Sequence, residues 1–171
     1  MQGSLVQGLR FEELTLGKGP SMVTLRSVEM KMNLEILLFS QELHFFSLNA
    51  KNGTIPLPQE ATVPPLLQNL QKLSLSFSSI PLKIDQFSIA EGRLLLNSGR
   101  EAKLQDLKIK NLSLIASSSK FEWSELQLKT SLGHLKTKQG QLAPGDISLQ
   151  GVRGFLEPGL LPDFLRKKNR P

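Results

Sequence analysis

The sequence predicts an all-β fold, antiparallel and elongated, built of short strands with one apolar face each. Three observations carry that prediction. The first is a recurring spacing: an apolar residue, two polar ones, an apolar, a polar and an apolar. It occurs at Ile84, Phe87 and Ile89, at Phe11, Leu14 and Leu16, and at Leu25, Val28 and Met30. It returns at Leu70, Leu73 and Leu75, at Leu104, Leu107 and Ile109, at Ile109, Leu112 and Leu114, and at Trp123, Leu126 and Leu128. With polar spacers required, and with Val6, Leu9 and Phe11 counted across Gly8, about eight matches stand against roughly two expected by chance. The second is geometric. On a helix Leu104, Leu107, Ile109, Leu112 and Leu114 scatter around the circumference at about 100° per residue. On a strand Leu107 and Ile109 share one side, as do Leu112 and Leu114, and the double polar step between the pairs needs a bulge, a turn or a change of face. The third is the punctuation of the chain by Gly, Pro, Asn and Ser at short intervals.

Taken in order, Leu5 to Leu16 reads as one or two strands, closed by the turn cluster Gly17-Lys18-Gly19-Pro20. Val23 to Met32 is a strand whose apolar positions Val23 and Leu25 resume, after a double step, at Val28, Met30 and Met32. Residues 34–39 are too continuously apolar for a half-buried strand and read as a short helical turn plugging one end of the sheet. Leu43 to Ile55 is the next strand region, with Asn52-Gly53 inside it as a tight turn or a bulge. Pro56-Leu57-Pro58 ends it. Pro64-Pro65 opens a short helix within residues 65–71. Strands then resume at Lys72 to Phe77, Leu82 to Ile89 and Gly92 to Leu96, with Asn97-Ser98-Gly99 as the following turn. Further strands are expected at Ala102 to Ile109, Leu112 to Ala116, Lys120 to Thr130, His134 to Gln139, Ile147 to Gly151 and Val152 to Phe155. The reading is one β segment over residues 1–157, then a short amphipathic segment and basic tail over 158–171.

A chain of 171 residues is long enough to bury a core. It has no cysteine, which excludes a disulfide framework and a thiolate metal site. The formal charge of +6 is spread as single basic residues among apolar ones, apart from Arg166, Lys167, Lys168 and Arg170. Aromatics are few, so solvated strand faces or an anionic membrane surface explain the charge better than nucleic acid, and no nucleic-acid partner is expected. No run approaches the roughly 18 to 20 apolar residues that span a bilayer, and MQGSLVQG lacks the basic start and apolar core of a signal peptide. Because the strand-like pattern begins at Leu5, the expectation is an excerpt whose export signal lies upstream.

Short strands with turn signals admit a sandwich, a barrel or a solenoid. On pattern alone a β-sandwich is slightly favoured. Residues Leu5 to Leu114, however, resemble the N-terminal periplasmic region of the TamB and AsmA-like family of bacterial envelope proteins. The order of features carries the resemblance: LVQGLRFEELTL, then VTLRSVEMKMN leading into LEILLF, then NGTIPLP, VPPLLQNL, and the unit IPLKIDQFSIAEGRLLL with LQDLKIKNLSLIA behind it. The resemblance covers roughly two-thirds of the chain and is one of pattern rather than of a fixed motif. It implies a curled β-groove, or β-taco, segment of a periplasmic protein tethered to the inner membrane by a helix absent from this chain. It also implies a part in moving phospholipid toward the outer membrane and in outer-membrane protein assembly. The expected partners are phospholipid acyl chains, further copies or the remainder of the groove chain, and an outer-membrane assembly protein. The alternatives are a scaffold or chaperone role in that assembly, or a filled-core sandwich that binds a partner.

No catalytic constellation is legible. His44 sits alone between Leu43 and Phe45, on the outward side of a strand. His134 has no carboxylate or second His at ligand spacing. Asp85, Glu91 and Glu101 are dispersed, there is no nucleophile elbow or phosphate loop, and no cofactor or enzyme activity is expected. The functional candidates are apolar: Leu82, Ile84, Phe87, Ile89, Leu94, Leu96, Leu107, Ile109, Leu112 and Leu114 as a groove lining, with Met30 and Met32 as adaptable contacts. The competing reading is that they fill a core. Each CH₂ taken from water contributes roughly 0.8 kcal/mol, so a greasy groove needs no polar ligand to hold an acyl chain.

Overall fold

The computed structural model describes residues 6–57, 81–96, 99–115, 120–143 and 146–157. Its strands are β1 (Val6–Leu16), β2 (Val23–Asn33), β3 (Leu43–Pro56), β4 (Leu82–Leu95), β5 (Glu101–Ile115), β6 (Lys120–Trp123), β7 (Glu125–Thr130), β8 (Gly133–Thr137), β9 (Gln139–Ala143), β10 (Asp146–Gln150) and β11 (Arg153–Leu156). A single α-helix, α1 (Leu34–Ser40), joins β2 to β3 among the described residues, and a 3-10 turn, Gly19–Ser21, lies between β1 and β2. All eleven strands belong to one curled, open sheet, not to the two separate sheets of a sandwich. The order is β1-β2-β3-β4-β5, after which β5 pairs with β6 toward its C-terminal end and with β7 along its middle. From there β6-β9-β10 and β7-β8-β11 continue side by side.

The double polar steps organise the sheet. The inward positions of β3 are Leu43, Phe45, Leu48, Ala50, Gly53 and Ile55, all buried, so the spacing alternates between two and three residues. β4 repeats it at Leu82, Ile84, Phe87 and Ile89, and β5 at Ala102, Leu104, Leu107, Ile109, Leu112 and Leu114. A regular strand turns alternate side chains to opposite faces, so a three-residue interval would put the next apolar residue in water. Here the extra residue is absorbed locally and the face is kept. In two strands the absorbing residue takes the left-handed region: Ser27 at φ 50° and Asn111 at φ 51°.

The steps also lie in register. Phe45 faces Ile84 and Leu48 faces Phe87 across β3–β4, while Ile84 faces Leu112 and Phe87 faces Ile109 across β4–β5. Phe46-Ser47, Asp85-Gln86 and Lys110-Asn111 therefore form one transverse crease. It continues through Ser124-Glu125, Lys138-Gln139 and Gln150-Gly151, where the last three extended runs break into β6 and β7, β8 and β9, and β10 and β11. A second crease runs through Glu12-Glu13, Arg26-Ser27, Lys51-Asn52, Ala90-Glu91 and Gln105-Asp106. A bulge in one strand shifts register against its neighbour. An extra residue at the same height in both neighbours bends them together and leaves register intact.

Several expected boundaries change for this reason. Leu82 to Ile89 and Gly92 to Leu96 are one strand, as are Ala102 to Ile109 and Leu112 to Ile115. Asn52-Gly53 is not a turn: β3 runs through it, with Gly53 paired to Leu25 and to Gly92. β9 was not expected beyond Gln139. The sheet is antiparallel except at β3–β4, which are parallel, from Leu43 beside Leu82 to Pro56 beside Leu95. A tight hairpin cannot make a parallel pair. The expected helix at 65–71, the strand at 72–77 and the segment 158–171 lie outside the described residues.

Turn chemistry follows the sequence. Gly17 and Gly19 take positive φ before β2. Gly99, at φ 73°, donates its N–H to the Leu96 carbonyl at 3.1 Å in the β4–β5 turn. In α1 the Asn33 side chain accepts from the Ile36 N–H at 3.1 Å, an N-cap, and Gln41 ends the helix in the left-handed region. The helix does not plug the sheet as a whole. Leu37 packs against the core, but Leu38 and Phe39 are 70% and 84% exposed, because so short a helix has one face to bury and four consecutive apolar residues to place.

Candidate functional site: the apolar face

All ten aliphatic and aromatic groove candidates lie on one face. Leu82, Ile84, Phe87 and Ile89 have almost no exposed surface, and Leu94, Leu96, Leu107, Ile109, Leu112 and Leu114 are also buried. They join Val23, Leu25, Leu104 and Phe121 in a single cluster. No candidate points outward, because the creases correct the phase at every double step. The middle of the face is thus packed interior in this structure.

Burial declines toward both margins of the sheet. On one side Leu9, Leu14, Leu16, Met30 and Met32 are half-buried and Phe11 is exposed. On the other, Leu126, Leu128, Ile147 and Leu149 are half-buried and Val152 is exposed. The two methionine candidates therefore sit at a margin, on β2, where the face is in contact with solvent. Their flexible thioethers suit a surface that must repack around different apolar shapes.

Sequence reasoning missed Trp123. Its partner across β6–β9 is Gly140, which has no side chain, and the indole lies over that glycine. The indole N–H donates to the Thr137 hydroxyl at 3.2 Å, which satisfies a fully buried polar side chain. The signal was an aromatic opposite a strand glycine, visible only once register is known.

The opposite face is polar and laddered with ion pairs: Arg10–Glu29 at 3.1 Å, Arg26–Glu13 at 3.0 Å and Lys83–Glu42 at 3.2 Å. Exposed pairs of this kind contribute little each. His44 is on this face as expected, but it is not a free surface residue. Its Nε2 lies 2.8 Å from Asp85 Oδ1, its ring stands 5.0 Å from that of Phe46, and its Nδ1 is buried without a partner. Asp85 was invisible as its partner because the two are 41 positions apart. Three surface recesses, one of about 900 Å³ beside Arg26, Asn52 and Arg93, are lined mainly from the polar side. None is lined by the ten buried candidates.

Among the described residues no group of three or more His, Asp or Glu converges as a metal site would require, and no helix is long and apolar enough to cross a membrane. What the arrangement offers chemically is apolar burial on one side and charge on the other. No family model matches the chain, and no curated protein matches it.

Proposed function

We propose that this chain is a segment of a β-groove that shields phospholipid acyl chains during transfer across the bacterial envelope. The observation that supports this reading is the unbroken one-sidedness of the sheet. Two creases keep the inward positions largely apolar from β1 to β10, and the face passes from packed interior to half-exposed at Leu9, Leu14, Met30 and Met32. A surface that must offer apolar contact along its length has to hold that phase across repeated three-residue intervals. Acyl chains would enter at the β1–β2 margin, where burying each CH₂ contributes roughly 0.8 kcal/mol without a polar anchor. The periplasmic setting and the inner-membrane tether belong to the same proposal and rest on the resemblance alone.

Native mass spectrometry of the purified chain, with solvent extraction of bound material, tests the reading. Phospholipid should accompany the wild type. It should be lost in Met30→Asp/Met32→Asp, with the strand spectrum in circular dichroism unchanged. A clean apo mass at all lipid concentrations overturns acyl-chain shielding for this segment.

One observation favours a second reading, a scaffold for strand addition in outer-membrane protein assembly. Among the described strands β1 pairs only with β2, so over residues 8–15 its other side faces away from the sheet. An edge of this kind accepts an incoming strand through main-chain hydrogen bonds. Proline introduced into β1 would then impair function, whereas Met30→Asp would not.

A further inference from the structure

The polar face is not uniform, and its charge is concentrated at one end. Lys108 on β5, Gln127 on β7, Lys136 on β8 and Arg153 on β11 form one row across four strands. The next row is Asp106, Lys129, His134 and Phe155, and on the other side Lys110 and Glu125 lie beside Lys138 at the crease. Six basic side chains thus share these rows with two carboxylates; beyond them Glu101 lies beside Arg93, and Glu157 beside Arg100.

Both carboxylates are already engaged. Asp106, 17% exposed, accepts from Lys108 at 3.1 Å and from the Gln127 amide at 2.8 Å. Glu125 lies between Lys110 at 3.1 Å and Lys136 at 3.5 Å. Lys129, Lys138 and Arg153 are exposed and have no carboxylate partner among the described residues. Phe155, 65% exposed, stands opposite His134 at the margin of the same surface. By contrast, the polar face of β1 and β2 alternates Arg10, Glu12, Glu13, Arg26, Glu29 and Lys31 with no excess of either sign.

We infer that the outer face of β5, β7, β8 and β11 docks on an anionic lipid surface, with Phe155 seated among the headgroups. Cationic faces bind anionic bilayers through additive attraction of Lys and Arg near the surface, and a marginal aromatic adds apolar anchorage. A single-stranded nucleic acid is the less fitting partner. It uses several aromatic platforms on which successive bases stack, and this surface offers one exposed phenyl ring, with the His134 imidazole beside it. The docking face is on the opposite side of the sheet from the acyl-chain margin, so the inference does not depend on the proposed function.

The test is co-sedimentation of the full chain with vesicles of phosphatidylcholine alone and with added phosphatidylglycerol. Binding should require phosphatidylglycerol and vanish near 1 M salt, where the Debye length falls to about 3 Å. Lipid held by its acyl chains would instead survive that salt, which separates the two readings. Lys129→Glu/Lys138→Glu/Arg153→Glu should weaken binding at least roughly a hundredfold. Lys18→Glu/Lys31→Glu/Lys51→Glu, with the same change in net charge, should leave it close to wild type. Single Lys138→Ser and Phe155→Ser variants, which barely touch folding, should each lose about fivefold. Equal loss in both triple variants, equal binding to neutral vesicles, or no binding at low salt overturns the inference. So does an unchanged Phe155→Ser variant, or a ribo-oligonucleotide bound more tightly than the vesicles.

Discussion

Leu25 and Val28 are both buried on the same side of β2 although two residues separate them, and Ser27 between them takes φ 50°. Ser27 is where the strand absorbs its extra residue, so the conformation is required by packing rather than chosen by the serine. The left-handed region costs an L-residue roughly 1–2 kcal/mol, more for a β-branched one. The serine already bears that cost, so Ser27→Val should destabilise the fold by the β-branched excess alone, about 1 kcal/mol, and Ser27→Gly should be no less stable than wild type. Urea midpoints at constant slope check both. Asn111, at φ 51°, should behave alike toward valine. Its glycine variant should lose part of the benefit, because the Asn111 amide donates to the Ser124 hydroxyl at 2.8 Å.

Gly53 and Gly92 face each other across the parallel β3–β4 pair, next to the second crease, yet their tolerance should differ. A Cβ on Gly92 would land on the Gly53 carbonyl oxygen, a backbone atom that cannot step aside. A Cβ on Gly53 would meet Ile89 Cγ2 at 3.0 Å and Leu25 Cδ2 at 3.4 Å, both on side chains that can shift slightly. Gly92→Ala should cost about 3 kcal/mol or more, and Gly53→Ala about 1 kcal/mol. Equal costs in thermal melts would show that the two strands do not approach as closely as the structure has them.

These two positions show what was legible. The spacing of Leu104, Leu107, Ile109, Leu112 and Leu114 revealed strands and the need for a device at each double step. It did not reveal that neighbouring strands place the device at the same height. Register is a property of strand pairs, and one chain read in order does not display it. The same limit hid Trp123 over Gly140 and His44 beside Asp85. The parallel β3–β4 pair was hidden because adjacent strands are ordinarily hairpin-linked. Helix α1 was legible from LEILLF, but its exposed Leu38 and Phe39 were not.

At Ile89 and Ile109 an open groove would let an aspartate abolish lipid transfer and spare the fold, whereas a filled core would not. Their burial points to loss of folding. Ile89 has no exposed surface and Ile109 very little, so an aspartate there would be an unpaired carboxylate among Leu, Ile and Phe. Ile89→Asp should cost about 4 kcal/mol or more and unfold the chain, while Met30→Asp should cost about 1 kcal/mol. Circular dichroism and urea melts read both. A folded Ile89→Asp variant would mean that the face opens to solvent beyond its margins.

Glu125 provides a test by titration. Hydrogen bonding from Lys110 holds its carboxyl below the ordinary glutamate value, and the charges of Lys110 and Lys136 add to that. A carboxyl with a pKa lowered by folding contributes stability that is fully present above its unfolded value and is lost as pH falls through the folded one. The window therefore lies below about pH 4.5. Within it, wild type should lose stability more steeply than Glu125→Gln, whose amide does not titrate. The carboxyl carbon of Glu125, followed by NMR, should titrate below a free glutamate and move upward in Lys110→Ala, with a smaller move in Lys136→Ala. A larger move in Lys136→Ala would reverse the assignment of the dominant partner. A midpoint unmoved by either would mean that the ion pairs of Glu125 with β5 and β8 do not persist in solution.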